Sequence, residues 1–224
     1  MFAVYLDDIV GHFFPGRGVR IILYADDILL IAPSVTGLQR LLDQCETELN
    51  RIDMNINTKK SCCMRIGPRF DANCAPIVTS NGGILPWVSE IRYLGIYIVK
   101  SRKFKCSLDY AKRAYYRSMN AIFGKIGRVA SEEVVLELIA KKCIPVLLYG
   151  LEACPLTNSD KKSLDFVISR FLMKLFKSID INFIAECQVY FNFESPSVLL
   201  EGRTIKFVEK FRHSGNSVCI MSML

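Results

Sequence analysis

Apolar residues recur along this chain with two different periods, and the change from one to the other divides it. In the first hundred residues the apolar runs are short, rich in β-branched residues and bounded by turn formers. Ile21-Ile22-Leu23-Tyr24 and Ile28-Leu29-Leu30-Ile31 flank Ala25-Asp26-Asp27, which predicts two strands turning over at that tip. Thr36 and Gln39 have capping-box spacing, and Leu38, Leu41, Leu42, Cys45, Leu49 and Ile52 follow a helical stripe. Cys62 to Ile66 reads as a strand closed by Gly67-Pro68. Ile77-Val78-Thr79 and Ile84 to Val88 flank a Ser80-Asn81-Gly82-Gly83 turn, and Ile91 to Val99 reads as one more strand. Residues 1–100 are thus expected to be an α+β sheet domain.

Beyond Lys100 the period lengthens. Ser107 is placed to cap a helix whose stripe is Leu108, Ala111, Tyr115, Met119, Ile122 and Ile126. Ser131-Glu132-Glu133 opens a second helix closed by Lys141-Lys142, charges that match the helix dipole at both ends, and Pro145 breaks or kinks it. A third helix is predicted from Ser159 to Lys177. Residues 101–192 therefore read as a helical lobe and 193–224 as an extension. In that extension Pro196 and Gly202 are expected to interrupt, 203–211 to form a short helix and the last dozen residues to be poorly ordered.

Charge changes the picture in one place. The whole chain of 224 residues carries a formal charge of +7, which suits a polyanionic partner without naming it. Between Lys100 and Arg128 nine basic residues face the single acid Asp109. A solvated face is the default reading of such charge; Lys100, Arg102, Lys103, Lys105, Lys112, Arg113, Arg117 and Lys125 are equally a candidate phosphate-contact surface. The nine cysteines are scattered, with no C-x-x-C pair and only two histidines, so a zinc site is not expected. They fit reduced thiols in an intracellular protein of the cytoplasm or nucleus, and no run is apolar and long enough to span a membrane.

The candidate chemistry lies at the hairpin tip. Asp26 and Asp27 are adjacent carboxylates beside an apolar sheet; such a pair either binds a hard divalent cation or is simply turn-forming aspartate. A second Tyr-x-Asp-Asp, Tyr5-Leu6-Asp7-Asp8, falls near helical spacing and reads as structural. Lys60, just before the 62–66 strand, reads from composition as a solvated edge charge, with proton donation to a departing phosphate as the alternative.

Together these stretches resemble the reverse transcriptase of non-LTR (LINE-class) retrotransposons. Tyr24-Ala25-Asp26-Asp27 is similar to that family's catalytic hairpin, and Asn57-x-x-Lys60-Ser61 to its next palm motif. Tyr93-Leu94-Gly95 resembles its primer grip, the basic helices with Pro145 to Glu152 resemble its thumb, and Arg203 with Lys206-Phe207 resembles a basic segment beyond it. The resemblance implies a partial polymerase palm, an antiparallel sheet with packed helices, followed by a mainly helical thumb-like lobe. It also implies RNA-directed DNA synthesis from an RNA template, a DNA primer and deoxynucleotides, with two Mg²⁺ ions (Mn²⁺ as substitute) held by Asp26 and Asp27. Tyr24 and Ala25 would lie near the primer terminus, Lys60 would serve the leaving pyrophosphate, and Tyr93, Leu94 and Gly95 would hold the primer. The family's third aspartate and its fingers would precede Met1. The chain is therefore expected to be a truncated piece, inactive alone, and a non-catalytic nucleic-acid-binding remnant is the alternative. A palm polymerase of another lineage, intron-encoded or telomere-type, is a weaker third reading.

Overall fold

The computed structural model describes residues 18–127 and 129–215. The Tyr5-Leu6-Asp7-Asp8 helix and the end of the predicted poorly ordered tail lie outside the described residues. The described chain is mixed α and β, with short antiparallel strand pairs, and divides into two compact units. The first holds residues 18–91 and 100–103, the second 92–99, 104–127 and 129–215.

In the first unit β1 (Arg20–Tyr24) pairs antiparallel with β2 (Asp27–Ile31), in the register Leu23 opposite Ile28 and Tyr24 opposite Asp27. Side chains alternate across a strand pair, so Leu23, Ile28 and Leu30 can all turn to one face. They pack there against Cys45 and Leu49 of α1 (Val35–Arg51). The cap of α1 differs from the expected one. Ser34, not Thr36, takes the cap position, and its Oγ accepts the Gly37 N–H at 3.0 Å, because Ser34 is the residue with extended backbone (φ −143°, ψ 157°).

The opposite end of the α1 stripe binds the hairpin β3 (Ile77–Val78) and β4 (Ile84–Leu85) around Leu42, Cys63, Ile77 and Leu85. Two polar groups on the helix fix it. Gln39 donates to the Val78 carbonyl at 2.7 Å and accepts from the Val78 N–H at 2.9 Å, while the buried Glu46 carboxylate accepts from the Ser80 N–H at 2.8 Å. The expected 62–66 strand does not form. Only Cys63 makes a bridge, parallel to Trp87, through Cys63 N–H to the Pro86 carbonyl and Val88 N–H to the Cys63 carbonyl. Nor do the strands join one sheet: among the described residues they form three separate pairs, each strand only two to five residues long and paired with a single other strand.

The predicted 91–99 strand is in fact two, β5 (Glu90–Tyr93) and β6 (Ile96–Val99), reversing at Leu94-Gly95. The chain passes from the first unit to the second within β5. The second unit is helical around one core that includes Tyr115, Ile139, Leu147, Leu164, Phe171 and Leu172, each at most 1% exposed. α2 (Asp109–Ile126) contributes Tyr115 and Met119, as the stripe predicts. α3 (Glu132–Leu138) runs through a widened π turn (Ile139–Cys143) into α4 (Ile144–Leu147). Pro145 therefore does not end the helix; a widened turn accommodates a residue that has no N–H and whose ring crowds the preceding turn.

After a 3₁₀ turn (Leu151–Ala153), α5 (Asn158–Phe176) opens on a reciprocal cap in which Thr157 and Asp160 each accept from the other's backbone N–H. α6 (Ile181–Tyr190) has no predicted counterpart, since Ile184 is its one buried residue. α7 (Pro196–Arg212) is a single helix where interruptions and a shorter helix were expected. Pro196 sits at its start, where the missing N–H is harmless, and Asp165 of α5 accepts the Ser197 N–H at 2.9 Å. Gly202 is carried inside it. Among the described residues no helix is long and apolar enough to cross a membrane.

Candidate functional site

The β1–β2 tip is built by local chemistry. A two-residue turn, Ala25-Asp26, joins strands whose inner face is held by α1, and Ala25 takes the left-handed conformation (φ +51°). A non-glycine residue there is uncommon and strained, and such positions collect at functional sites. Tyr24, Ala25, Asp26 and Asp27 are all exposed. Tyr24 and Asp27 are a cross-strand pair, and with Ile22 and Leu29 they belong to the face opposite the one that packs on α1. The tip thus presents two consecutive carboxylates and an aromatic ring to solvent. Among the described residues no group of three or more His, Cys, Asp or Glu side chains is arranged to hold a metal ion.

Lys60 lies in the same unit. The Asn57 side chain accepts the Lys59 N–H at 3.1 Å, and the Asn57 carbonyl accepts from Lys60 N–H at 3.0 Å and Ser61 N–H at 2.9 Å. Asparagine thus shapes a turn that leaves the Lys60 ammonium exposed, and among the described residues no hydrogen bond or ion pair joins it to Asp26 or Asp27.

Tyr93-Leu94-Gly95 proves to be the reversal of the β5–β6 hairpin, with Leu94 (φ +47°) and Gly95 (φ +84°) both left-handed, as a two-residue hairpin turn of the primed type requires. In the second unit this turn meets the segment after α4. A Cβ on Gly95 would stand 2.9 Å from Cε1 of Tyr149, and one on Gly150 (φ +69°) only 2.6 Å from Cδ1 of Ile96. Two stretches more than fifty residues apart in sequence therefore pack through glycine. They border a groove of about 730 Å³ lined by Arg92, Tyr97, Tyr110, Arg117, Val146 and Tyr149, among others.

Beside it the rings of Tyr97 and Tyr110 stack with centroids 3.5 Å apart and planes within 2°. The Arg92 guanidinium lies 5.9 Å from the Tyr97 centroid and that of Arg113 lies 4.8 Å from the Tyr110 centroid, each over a ring. Sequence reasoning named Arg113 and Arg117 but missed Arg92, Tyr97, Tyr110 and Tyr149. The available signal was faint: Tyr110 and Arg113 are three apart on one helix, and Tyr97 alternates with Tyr93 on its hairpin.

The eight candidate basic residues are divided between the two units. Lys100, Arg102 and Lys103 belong to the first unit; Lys105, Lys112, Arg113, Arg117 and Lys125 belong to the second. Arg113 and Arg117, one turn apart on α2, are exposed, as is Lys125. Lys112 instead donates to the Ser163 hydroxyl on α5. Asp160 is held below the usual carboxylate range first by its hydrogen bonds with Thr157 and then by the nearby charges of Lys105 and Lys112.

Residues 1–98, which contain the hairpin tip, Lys60 and the β5–β6 reversal, match the family model described as reverse transcriptase (RNA-dependent DNA polymerase). That match covers less than half of the 224-residue chain. The chain is also similar to the retrovirus-related Pol polyprotein from type-1 retrotransposable element R1 of Bradysia coprophila, at 27% identity over 101 residues, or 42% of this chain and 10% of that protein. A putative uncharacterized transposon-derived protein of Caenorhabditis elegans is 25% identical over 141 residues, covering 62% of this chain and 50% of its own length. The chain thus aligns with half or less of the length of these relatives. No solved structure matches it at a significant level.

Proposed function

We propose that this chain supplies the catalytic hairpin and part of the nucleic-acid surface of a non-LTR retrotransposon reverse transcriptase, an RNA-directed DNA polymerase working in the cytoplasm or nucleus. The observation that carries this reading is the exposed Tyr24-Ala25-Asp26-Asp27 tip inside the segment that matches the family model. Its two consecutive carboxylates fit a hard divalent cation, Mg²⁺ or Mn²⁺, which takes one or two protein carboxylates and leaves its other positions to phosphate and water. Asp26 and Asp27 would hold it. When bound, such an ion supplies charge stabilisation at the phosphate under attack.

The chain's own residues provide the rest. Ala25, with a single methyl, leaves room at the tip for a primer terminus beside Tyr24. Lys60 carries an exposed ammonium able to give a proton to, or neutralise, departing pyrophosphate. The Tyr93-Leu94-Gly95 reversal offers a narrow backbone edge to a primer strand. Arg113, Arg117 and Lys125 offer exposed charge to phosphates, as do Lys100, Arg102, Lys103, Lys105 and Lys112 to the extent that their own contacts leave them free. Two carboxylates from one hairpin are too few for two metal ions, so the polymerase centre includes further acidic ligands, and the pair does not extend a primer alone.

The test has two parts. The purified chain is expected to bind an RNA–DNA hybrid in a salt-dependent manner without extending its primer; extension abolished by Asp26→Asn would overturn the inactivity. In a longer, active retrotransposon protein containing this segment, Asp26→Asn should remove extension and leave hybrid affinity within about twofold. An active Asp26→Asn enzyme would sink the metal assignment. Hybrid binding that survives loss of both acids, in a protein with no Mg²⁺-dependent activity, would favour the non-catalytic binding remnant.

A further inference from the structure

The second unit brings together two thiols that lie 48 residues apart. Cys106 follows β6 and makes an antiparallel bridge with Ile98, while Cys154 follows the 3₁₀ turn Leu151–Ala153. Their Sγ atoms are 2.7 Å apart, within hydrogen-bond reach, and both cysteines are free. Cys106 is 3% exposed. Cys154 is half-buried and lines a second groove of about 410 Å³, together with Lys161, Leu200 and Thr204. The pair is therefore close enough to bond, and a small molecule in the groove reaches Cys154, directly against Cys106. The hydrogen bond from Cys154 also holds the Cys106 thiol below its ordinary value, the direction that favours a thiolate.

We propose that Cys106 and Cys154 form a redox modification site, a disulfide closed by a peroxide and reopened by thiols, that ties the segment carrying Tyr149 and Gly150 to the end of β6. The Cys106 thiolate attacks one oxygen of hydrogen peroxide and the O–O bond breaks. Cys106 becomes a sulfenic acid, and the released hydroxide leaves as water with the proton of the pair. The Cys154 sulfur then attacks the Cys106 sulfur, the S–O bond breaks, and a second water leaves with the Cys154 proton. Two thiols and one peroxide give one disulfide and two waters, the sulfurs losing the two electrons that the peroxide gains. Two equivalents of a small thiol reverse it by exchange.

The location gives the bond a consequence. Tyr149 and Gly150, which pack on the Gly95 reversal and on Ile96, stand only five and four residues before Cys154, and β6 ends seven residues before Cys106. Both walls of the Arg92–Tyr149 groove are then anchored covalently. Its bearing on nucleic-acid binding rests on the reading of that groove as part of the polymerase surface.

The experiment treats the full chain with hydrogen peroxide, alkylates the remaining thiols under denaturing conditions, and maps the digest by mass spectrometry. The expected result is loss of two alkylatable thiols per chain and a cross-linked peptide pair holding Cys106 and Cys154, two hydrogens lighter than the separate peptides. Dithiothreitol should reverse it, and Cys106→Ser or Cys154→Ser should abolish it. Both cysteines remaining alkylatable, or Cys106 appearing bonded to a different cysteine, overturns the site, and because the unsubstituted chain decides this, misfolding of a variant does not obscure it. Amide exchange at Leu151 and Cys154 should slow at least about threefold on oxidation; unchanged exchange overturns the tethering. The cross-link is read without any nucleic acid, so its failure is distinguishable from failure of the polymerase reading, which hybrid binding by the reduced chain tests.

Discussion

Gly95→Ala and Gly202→Ala make the same chemical change in the same unit with opposite expected signs. At Gly95 the backbone is left-handed (φ +84°), a conformation that costs an L-residue about 1–2 kcal/mol. The new methyl would also sit 2.9 Å from Cε1 of Tyr149, closer than side-chain carbons approach. That ring is 62% exposed and has room to swing, so the backbone dominates. Against it stands the lower entropy of the unfolded alanine chain, about 0.4–1 kcal/mol. The net expectation is a destabilisation of about 1 kcal/mol, rising towards about 2 kcal/mol if the ring is held. Gly202 lies within α7 with nothing within 4 Å of an added Cβ, so alanine there should stabilise by about 0.5–1 kcal/mol. Urea unfolding followed by far-ultraviolet circular dichroism should separate the two variants by about 2 kcal/mol at unchanged denaturant slope. In a Tyr149→Ala background the steric part of the Gly95 penalty should vanish and the backbone part remain. Gly95→Ala as stable as the parent, or Gly202→Ala less stable than it, would refute this account of the reversal and of α7.

Further expectations concern the rest of the chain. Gln39→Ala removes both side-chain bonds to Val78, which is 37% exposed and partly rescued by water, and should destabilise the first unit by about 1–2 kcal/mol; a change within a few tenths of zero would mean that apolar packing alone holds the β3–β4 hairpin. The Asp160 carboxyl is held below its usual range, by the Thr157 hydrogen bonds first, so its folded value lies below its unfolded one. Its contribution is therefore complete above the unfolded carboxylate value and is lost as pH falls through the folded value, and Asp160→Asn should flatten the acid limb of the stability–pH curve; an unchanged limb would refute the cap. Arg117→Ala should weaken hybrid binding similarly for all sequences and reduce the salt slope by about 0.7–0.9 per lost phosphate contact, and an unaltered slope would remove Arg117 from the surface.

Much of the secondary structure was legible in the sequence, and the misses share a cause. The β1–β2 hairpin and α5 lie close to where periodicity placed them, since a short β-branched run and a helical apolar stripe are set by neighbours within a few residues; the Thr157–Asp160 cap that opens α5 was not foreseen. Cys62 to Ile66 has strand composition but finds a partner only at Trp87, so it stays a single bridge. α6 escaped because it buries one residue and so shows no stripe. α7 was read as broken at Gly202, yet Leu200, 2% exposed, and the Asp165 cap from α5 hold it together and outweigh a propensity deficit of about 1 kcal/mol.

The candidate site divides the same way. Tyr24-Ala25-Asp26-Asp27 was visible because a two-residue reversal between apolar strands forces its carboxylates to a tip, whatever surrounds it. The Asn57 turn that exposes Lys60 is equally local. What only the tertiary structure decided is which distant residues meet. It stacks Tyr97 on Tyr110 between Arg92 and Arg113, seats Tyr149 against Gly95, turns Lys112 to Ser163 and sets Cys106 against Cys154. Periodicity and capping report on neighbours within about one turn or one strand pair, whereas these contacts join segments thirteen to more than fifty residues apart, and the helical core chooses them by packing.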